Sequence, residues 1–184
     1  MKSMFFYIAL SCASALLSLP VTADDDDTGD LFSYAYLGYA NFNLDFDSSE
    51  YDLEMDGFTL TLGQEFTENI ALETTLYHAT DKFNSGSTKI KLEGFSASIT
   101  PVLYADISKY YSVYGKAGLA YGRASEKVGS SPKISDDEFT VIYGIGLSIT
   151  TGSKRAYAFR IGYDIYDGDD IEADLFTISA GMKF

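Results

Sequence analysis

His78 is the one histidine of the 184-residue chain, and Thr80 follows it two positions later. A histidine near a hydroxyl suggests a base and a nucleophile. That chemistry also needs an orienting carboxylate within hydrogen-bond reach. Glu73 lies five residues before His78. In an extended chain an odd separation puts two side chains on opposite faces, so Glu73 faces away from His78. The spacing argues against a catalytic triad, and we expect no enzymatic activity.

Two acidic groups have the right atoms for a hard cation. The first is Asp45, Asp47, Glu50, Asp52, Glu54 and Asp56; the second is Asp164, Asp167, Asp169, Asp170, Glu172 and Asp174. Neither has EF-hand spacing, so they read as solvated acidic surface. Gly144-Ile145-Gly146 lacks the third glycine and the strand–helix context of a dinucleotide fingerprint. No cofactor, metal site or catalytic residue is expected. The net charge of -14 excludes a nucleic-acid partner, which requires basic patches.

The chain opens as an export signal. Lys2 supplies positive charge, Met4 to Leu19 is almost continuously apolar, and Val21-Thr22-Ala23 offers small residues for cleavage. We expect residues 1–23 to be removed and residues 24–30 to form an acidic lead. The barrel domain would then occupy residues 31–184. Cys12 would leave with the signal, so the mature chain carries no disulfide and no cysteine-ligated metal.

After Ala23 the dominant rhythm is alternation of period two, the mark of strands. Val141, Tyr143, Ile145, Leu147 and Ile149 alternate with smaller residues, and so do Tyr157, Phe159, Ile161, Tyr163 and Ile165. Phe176, Ile178, Ala180, Met182 and Phe184 continue the pattern to the chain end. Residues 31–42 are apolar on both parities and give no face. Residues 89–102 read as changing parity near Gly94, which either a bulge or a strand running past the membrane edge explains.

Eight such segments are present, and an even number closes an antiparallel sheet without edges. Short connections at 67–69, 105–109 and 151–154 alternate with longer polar ones at 43–55, 79–88, 126–136 and 166–173. The longer ones should lie outside the cell and the shorter ones in the periplasm.

A soluble barrel puts apolar residues inside; a membrane barrel inverts this. Here the apolar face is rich in Tyr, Phe, Ile, Leu and Val, which in water would invite aggregation. The other face carries Thr, Ser and Gly with Glu65, Glu73, Lys116 and Arg160. Few charges of both signs suit a narrow polar interior. The expected fold is all-β: an eight-stranded antiparallel up-and-down transmembrane barrel.

The hairpin from Gly57 to Glu73, the strand Val113 to Tyr121, the segment Tyr143 to Leu147 and the terminal Phe184 together resemble the small outer-membrane barrels of the OmpA/OmpX type, also called porin-like barrel domains. The resemblance covers residues 31–184. It implies an outer-membrane location and a lumen blocked by charge pairs, here Glu65 and Glu73 with Lys116 and Arg160. It also implies a C-terminal assembly signal at Phe176, Ile178, Met182 and Phe184, read by the barrel assembly machinery. The other partners implied are outer-membrane lipid and lipopolysaccharide, with an unidentified loop ligand. Some barrels of this size modify lipids with a His and a Ser on one strand; His78 is followed by Thr80 instead and sits near the outer interface. The function expected is structural, or interaction through the external loops. The alternatives are a narrow channel or carrier for small solutes and, third, a lipid-modifying enzyme.

Overall fold

The computed structural model describes residues 32–45, 53–85, 88–129, 131–132, 134–151, 157–168 and 172–183. The signal segment, the acidic lead, residues 46–52 and 169–171 of the acidic groups, and Phe184 lie outside the described residues.

Eight strands follow one another: β1 (Tyr34–Asp45), β2 (Leu53–Thr67), β3 (Ile70–Ser85), β4 (Thr88–Asp106), β5 (Tyr111–Val128), β6 (Ile134–Thr151), β7 (Tyr157–Asp167) and β8 (Glu172–Lys183). Each pairs with its sequence neighbour, and β1 pairs antiparallel with β8 to close the barrel. Among the described residues no helix is long and apolar enough to cross a membrane.

The register fixes the shape. Ala35 pairs in turn through Leu62, Thr74, Ile99, Leu119, Val141, Asp167 and Glu172 back to Asp45. The path returns to β1 ten residues further along, the difference between positions 35 and 45. With eight strands this stagger tilts them by about 40° from the axis.

Alternation sets the two faces. Leu37, Leu60, Leu76, Ile145, Ile161 and Ile178 point outward and are exposed. Phe66, Tyr110, Tyr111 and Tyr157 ring the end with the short turns, while Tyr39, Phe58, Phe95, Phe139 and Phe176 ring the other. Two aromatic girdles around an aliphatic band of about 25 Å are the outward pattern of a membrane barrel.

Three features change the sequence reading or decide between its alternatives. First, among the described residues the polar connections are mostly strand. Ser85 pairs with Thr88, and β5 and β6 remain paired as far as Glu126 and Ile134. Polarity marks contact with water, not loss of the ladder, because a strand beyond the membrane edge needs no apolar face.

Second, the register of β4 against β3 and β5 runs through Gly94 without a shift. Lys91 and Glu93 share the outward face of Phe95 in the part of the strand that has left the apolar band. The irregularity lies instead in β2 between Glu65 and Thr67, beside the tight turn to β3.

Third, the interior is far more aromatic than a Thr/Ser/Gly lining. Tyr34, Tyr36, Phe42, Tyr77, Tyr114 and Tyr166 are all buried inside. Strand β1 supplies three of them, which is why its two parities looked alike.

Candidate functional site: the barrel lumen

The inward face is the place where polar chemistry concentrates. Glu73 on β3 and Arg160 on β7 are 2% and 5% exposed. In a closed eight-strand order these two strands are diametrically opposite. Arg160 Nη1 donates to Glu73 Oε1, so the ion pair spans the lumen.

Tyrosines surround the pair. Tyr34 donates to Glu73 Oε1 at 2.7 Å and Tyr104 donates to the same oxygen at 3.2 Å. Arg160 Nη2 donates to the Tyr104 hydroxyl. The guanidinium carbon lies 4.0 Å from the Tyr36 ring centre, 5.0 Å from that of Tyr34, 5.1 Å from Tyr114 and 5.3 Å from Tyr104. Cation–π contacts of this kind strengthen once water is excluded.

Lys116 takes a different partner. Its ammonium is 2.8 Å from Asp164 Oδ2. Lys116 on β5 and Asp164 on β7 both pair in register with Gly144 on β6. The two side chains therefore meet over a residue with no side chain. A Cβ at Gly144 would lie 2.0 Å from Asp164 Oδ1. The same logic holds at Gly63, where a Cβ would lie 2.1 Å from the Tyr34 ring, and at Gly146, where it would lie 2.4 Å from that of Tyr114. The glycines are sockets for the large lumenal side chains.

Glu65 does not join Glu73. It pairs with Lys183 at the short-turn mouth, where both are part-exposed. Of the four charges expected to form one network, the structure thus joins Glu73 with Arg160 and gives Lys116 and Glu65 other partners. Asp164 had the inward parity of Arg160 but was grouped with the acidic residues that follow it. Lys183 is inward on a strand read for its apolar outward face.

Towards the long-connection end the lumen is filled by an apolar layer of Phe42, Met55, Tyr77, Ile142, Tyr166 and Leu175. Phe42 stacks on Tyr77 at 5.2 Å between ring centres and meets Tyr166 edge-on at 5.6 Å. Thr59, Thr75, Ser98 and Thr100 are also buried; Thr59 is the register partner of Tyr77 and Thr100 that of Glu73.

His78 faces outward, half-buried, its ring edge-on to Phe58 with centres 5.5 Å apart. Glu73 is on the opposite face of the same strand, inside the barrel. Among the described residues, no cluster of three or more His, Cys, Asp or Glu is placed to hold a metal ion. Phe176, Ile178 and Met182 are exposed on the outward face of β8.

Strands that cross an apolar band, aromatic girdles and a side-chain-filled lumen define a small outer-membrane barrel. Residues 9–184 match the family described as the outer membrane protein beta-barrel domain, and the chain belongs to that family. Solved structures agree in fold. Ail, the attachment invasion locus protein of Yersinia pestis, superposes with a TM-score of 0.64 at 22% identity, over 82% of this chain and 97% of that one. Neisserial surface protein A (NspA) gives 0.62 at 15% identity over 82% and 96%. The N-terminal barrel domain of Pseudomonas aeruginosa OprF gives 0.55 at 13% identity over 83% and 98%. No curated protein sequence matches the chain. Family membership places the protein in the outer membrane.

Proposed function

We propose that this is a non-enzymatic outer-membrane protein whose lumen is plugged by its own side chains and which acts through its long-connection end, facing outside the cell. The observation that carries this reading is the Glu73–Arg160 pair spanning the barrel inside its sleeve of tyrosines. Eight strands leave an interior just wide enough for side chains, and here those side chains are mutually bonded. The outward position of His78, away from Glu73, supports the absence of catalysis. On this reading residues 1–23 direct export and are removed, and the outward face of β8 with Phe184 is the signal read by the assembly machinery.

The test is to refold residues 24–184 into detergent, compare boiled with unboiled samples on a denaturing gel, and record single channels in a planar bilayer. A heat-modifiable shift without steady conductance is expected. Steady conductance would overturn the plugged lumen and favour a narrow channel for small solutes.

A further inference from the structure

Past the girdle at the long-connection end, the outward face carries opposite charges on opposite walls. On β2, β7 and β8 it presents Glu54, Asp56, Asp167, Glu172 and Asp174. Among the described residues, the cations of β1, β2, β7 and β8 are Arg160 and Lys183, and both point inward, to Glu73 and Glu65. On β3, β4 and β5 the outward face presents Lys82, Lys91, Arg123 and Lys127, with Lys89 two residues beyond Lys91. Glu93 stands among them and is ion-paired with Lys91. In the closed strand order β4 is opposite β8.

Each wall sets like charges side by side. Asp167 is the register partner of Glu172. Lys82 is that of Lys91, and Lys91 that of Lys127. Like charges directly opposite each other across strands destabilise a sheet. Each row is stabilised by a surface of the other sign, and the barrel carries that surface on its far side.

The two rows stand at one level. Glu54, Asp167 and Glu172 lie four residues beyond Phe58, Tyr163 and Phe176 of their own strands. Lys82 and Lys91 lie four residues beyond His78 and Phe95.

In the apolar band the same two walls differ in relief. On the acidic wall a groove of about 330 Å³ runs over Ala35 and Ala180, bordered by Leu37, Leu60, Tyr157 and Phe159. On the lysine wall Leu103 is 62% exposed and has Gly115, with no side chain, as its register partner. Leu103 therefore stands proud of its surroundings. Groove and knob both lie towards the short turns, since Tyr157 opens β7 and Leu103 is near the end of β4.

We propose that the barrel binds a second copy of itself side by side, the acidic wall of one copy against the lysine wall of the next, with Leu103 seated in the groove. Copies inserted from one side of a membrane face the same way. A two-fold axis along the membrane normal would set the acidic wall against itself; a translation sets acid against lysine. The contact is heterologous, and each copy keeps one wall of each sign free, so rows form instead of closed pairs.

Residues 24–184 contain no cysteine, so cysteines can be placed at will. Two populations, Ala180→Cys and Leu103→Cys, are folded together into phosphatidylcholine vesicles in EDTA and treated with a short bismaleimide. Cross-links between the two populations should exceed those within either by roughly tenfold. Salt at about 0.5 M should reduce them severalfold by screening. Adding Lys82→Glu/Lys91→Glu/Lys127→Glu to the Leu103→Cys protein should remove the excess, and so should adding Glu54→Lys/Asp167→Lys/Glu172→Lys to the Ala180→Cys protein. Mixing the two charge-reversed proteins should restore it. The heat-modifiable gel shift checks that each variant is folded. Cross-links within a population as frequent as those between populations would overturn the proposal, as would charge reversals without effect. Association that requires added lipopolysaccharide and Mg²⁺ would put lipid between the copies and overturn direct contact. The readout involves the outward face alone and is separate from the state of the lumen.

Discussion

Glu73 and Arg160 are 87 residues apart in sequence and meet across the full width of the barrel. Nothing local in the chain brings them together; closure of the sheet does. The pair is a brace between opposite walls, and its strength depends on the ring of hydroxyls and aromatic faces that takes the place of water.

Removing one end of the brace should cost more than removing both. Arg160→Met leaves Glu73 buried without its cation and should destabilise the barrel by about 3–5 kcal/mol. Combining it with Glu73→Gln should recover a substantial part, because Tyr34 and Tyr104 can still hydrogen-bond an amide oxygen. Reversible urea unfolding of the single and double variants in lipid vesicles measures the difference.

The glycine socket under Lys116 and Asp164 gives a sharper contrast. Gly144→Ala puts a Cβ against the Asp164 carboxylate and 2.7 Å from the Tyr163 carbonyl oxygen, which is backbone and does not yield easily. A loss of about 1–3 kcal/mol is expected. Gly122→Ala is the control, since a Cβ there meets nothing within 4 Å. Equal effects at the two positions in the same unfolding assay would argue against the socket.

A soluble protein tolerates charge at an exposed site; here exposure means lipid. Ile145, 69% exposed on β6, should respond to Ile145→Arg with a loss of about 2–4 kcal/mol in a bilayer. A neutral result would contradict the assignment of the outward face.

His78 has an aromatic neighbour and no carboxylate on its own strand face. His78→Ala should leave the lipid A of expressing cells unchanged by mass spectrometry, as should the wild-type protein against an empty-vector control. Lipid A altered by the wild-type protein but not by His78→Ala would revive catalysis.

The strand rhythm was legible because each wall residue has only two environments, lipid or lumen, and residues such as Val141 to Ile149 differ strongly between them. Strand β1 resisted reading because Tyr34 and Tyr36 are apolar enough for either side. Their inward direction depends on Gly63 and Gly181 across the ladder. That is information held on other strands. Lys116 was legible as a lumenal charge, but its partner Asp164 was masked by the acidic run after it.

Every pairing except β1–β8 joins strands that follow one another in the chain. Tyr34 and Lys183 are register partners from opposite ends of the barrel domain. The contact order is therefore low everywhere but at one seam, and hairpins can add in sequence while the growing sheet keeps two open edges. Until the last strand docks, the Glu73–Arg160 brace has no opposite wall to hold. A circular permutant that joins the two ends and opens the chain at another connection would move that seam, and with it the last step of folding.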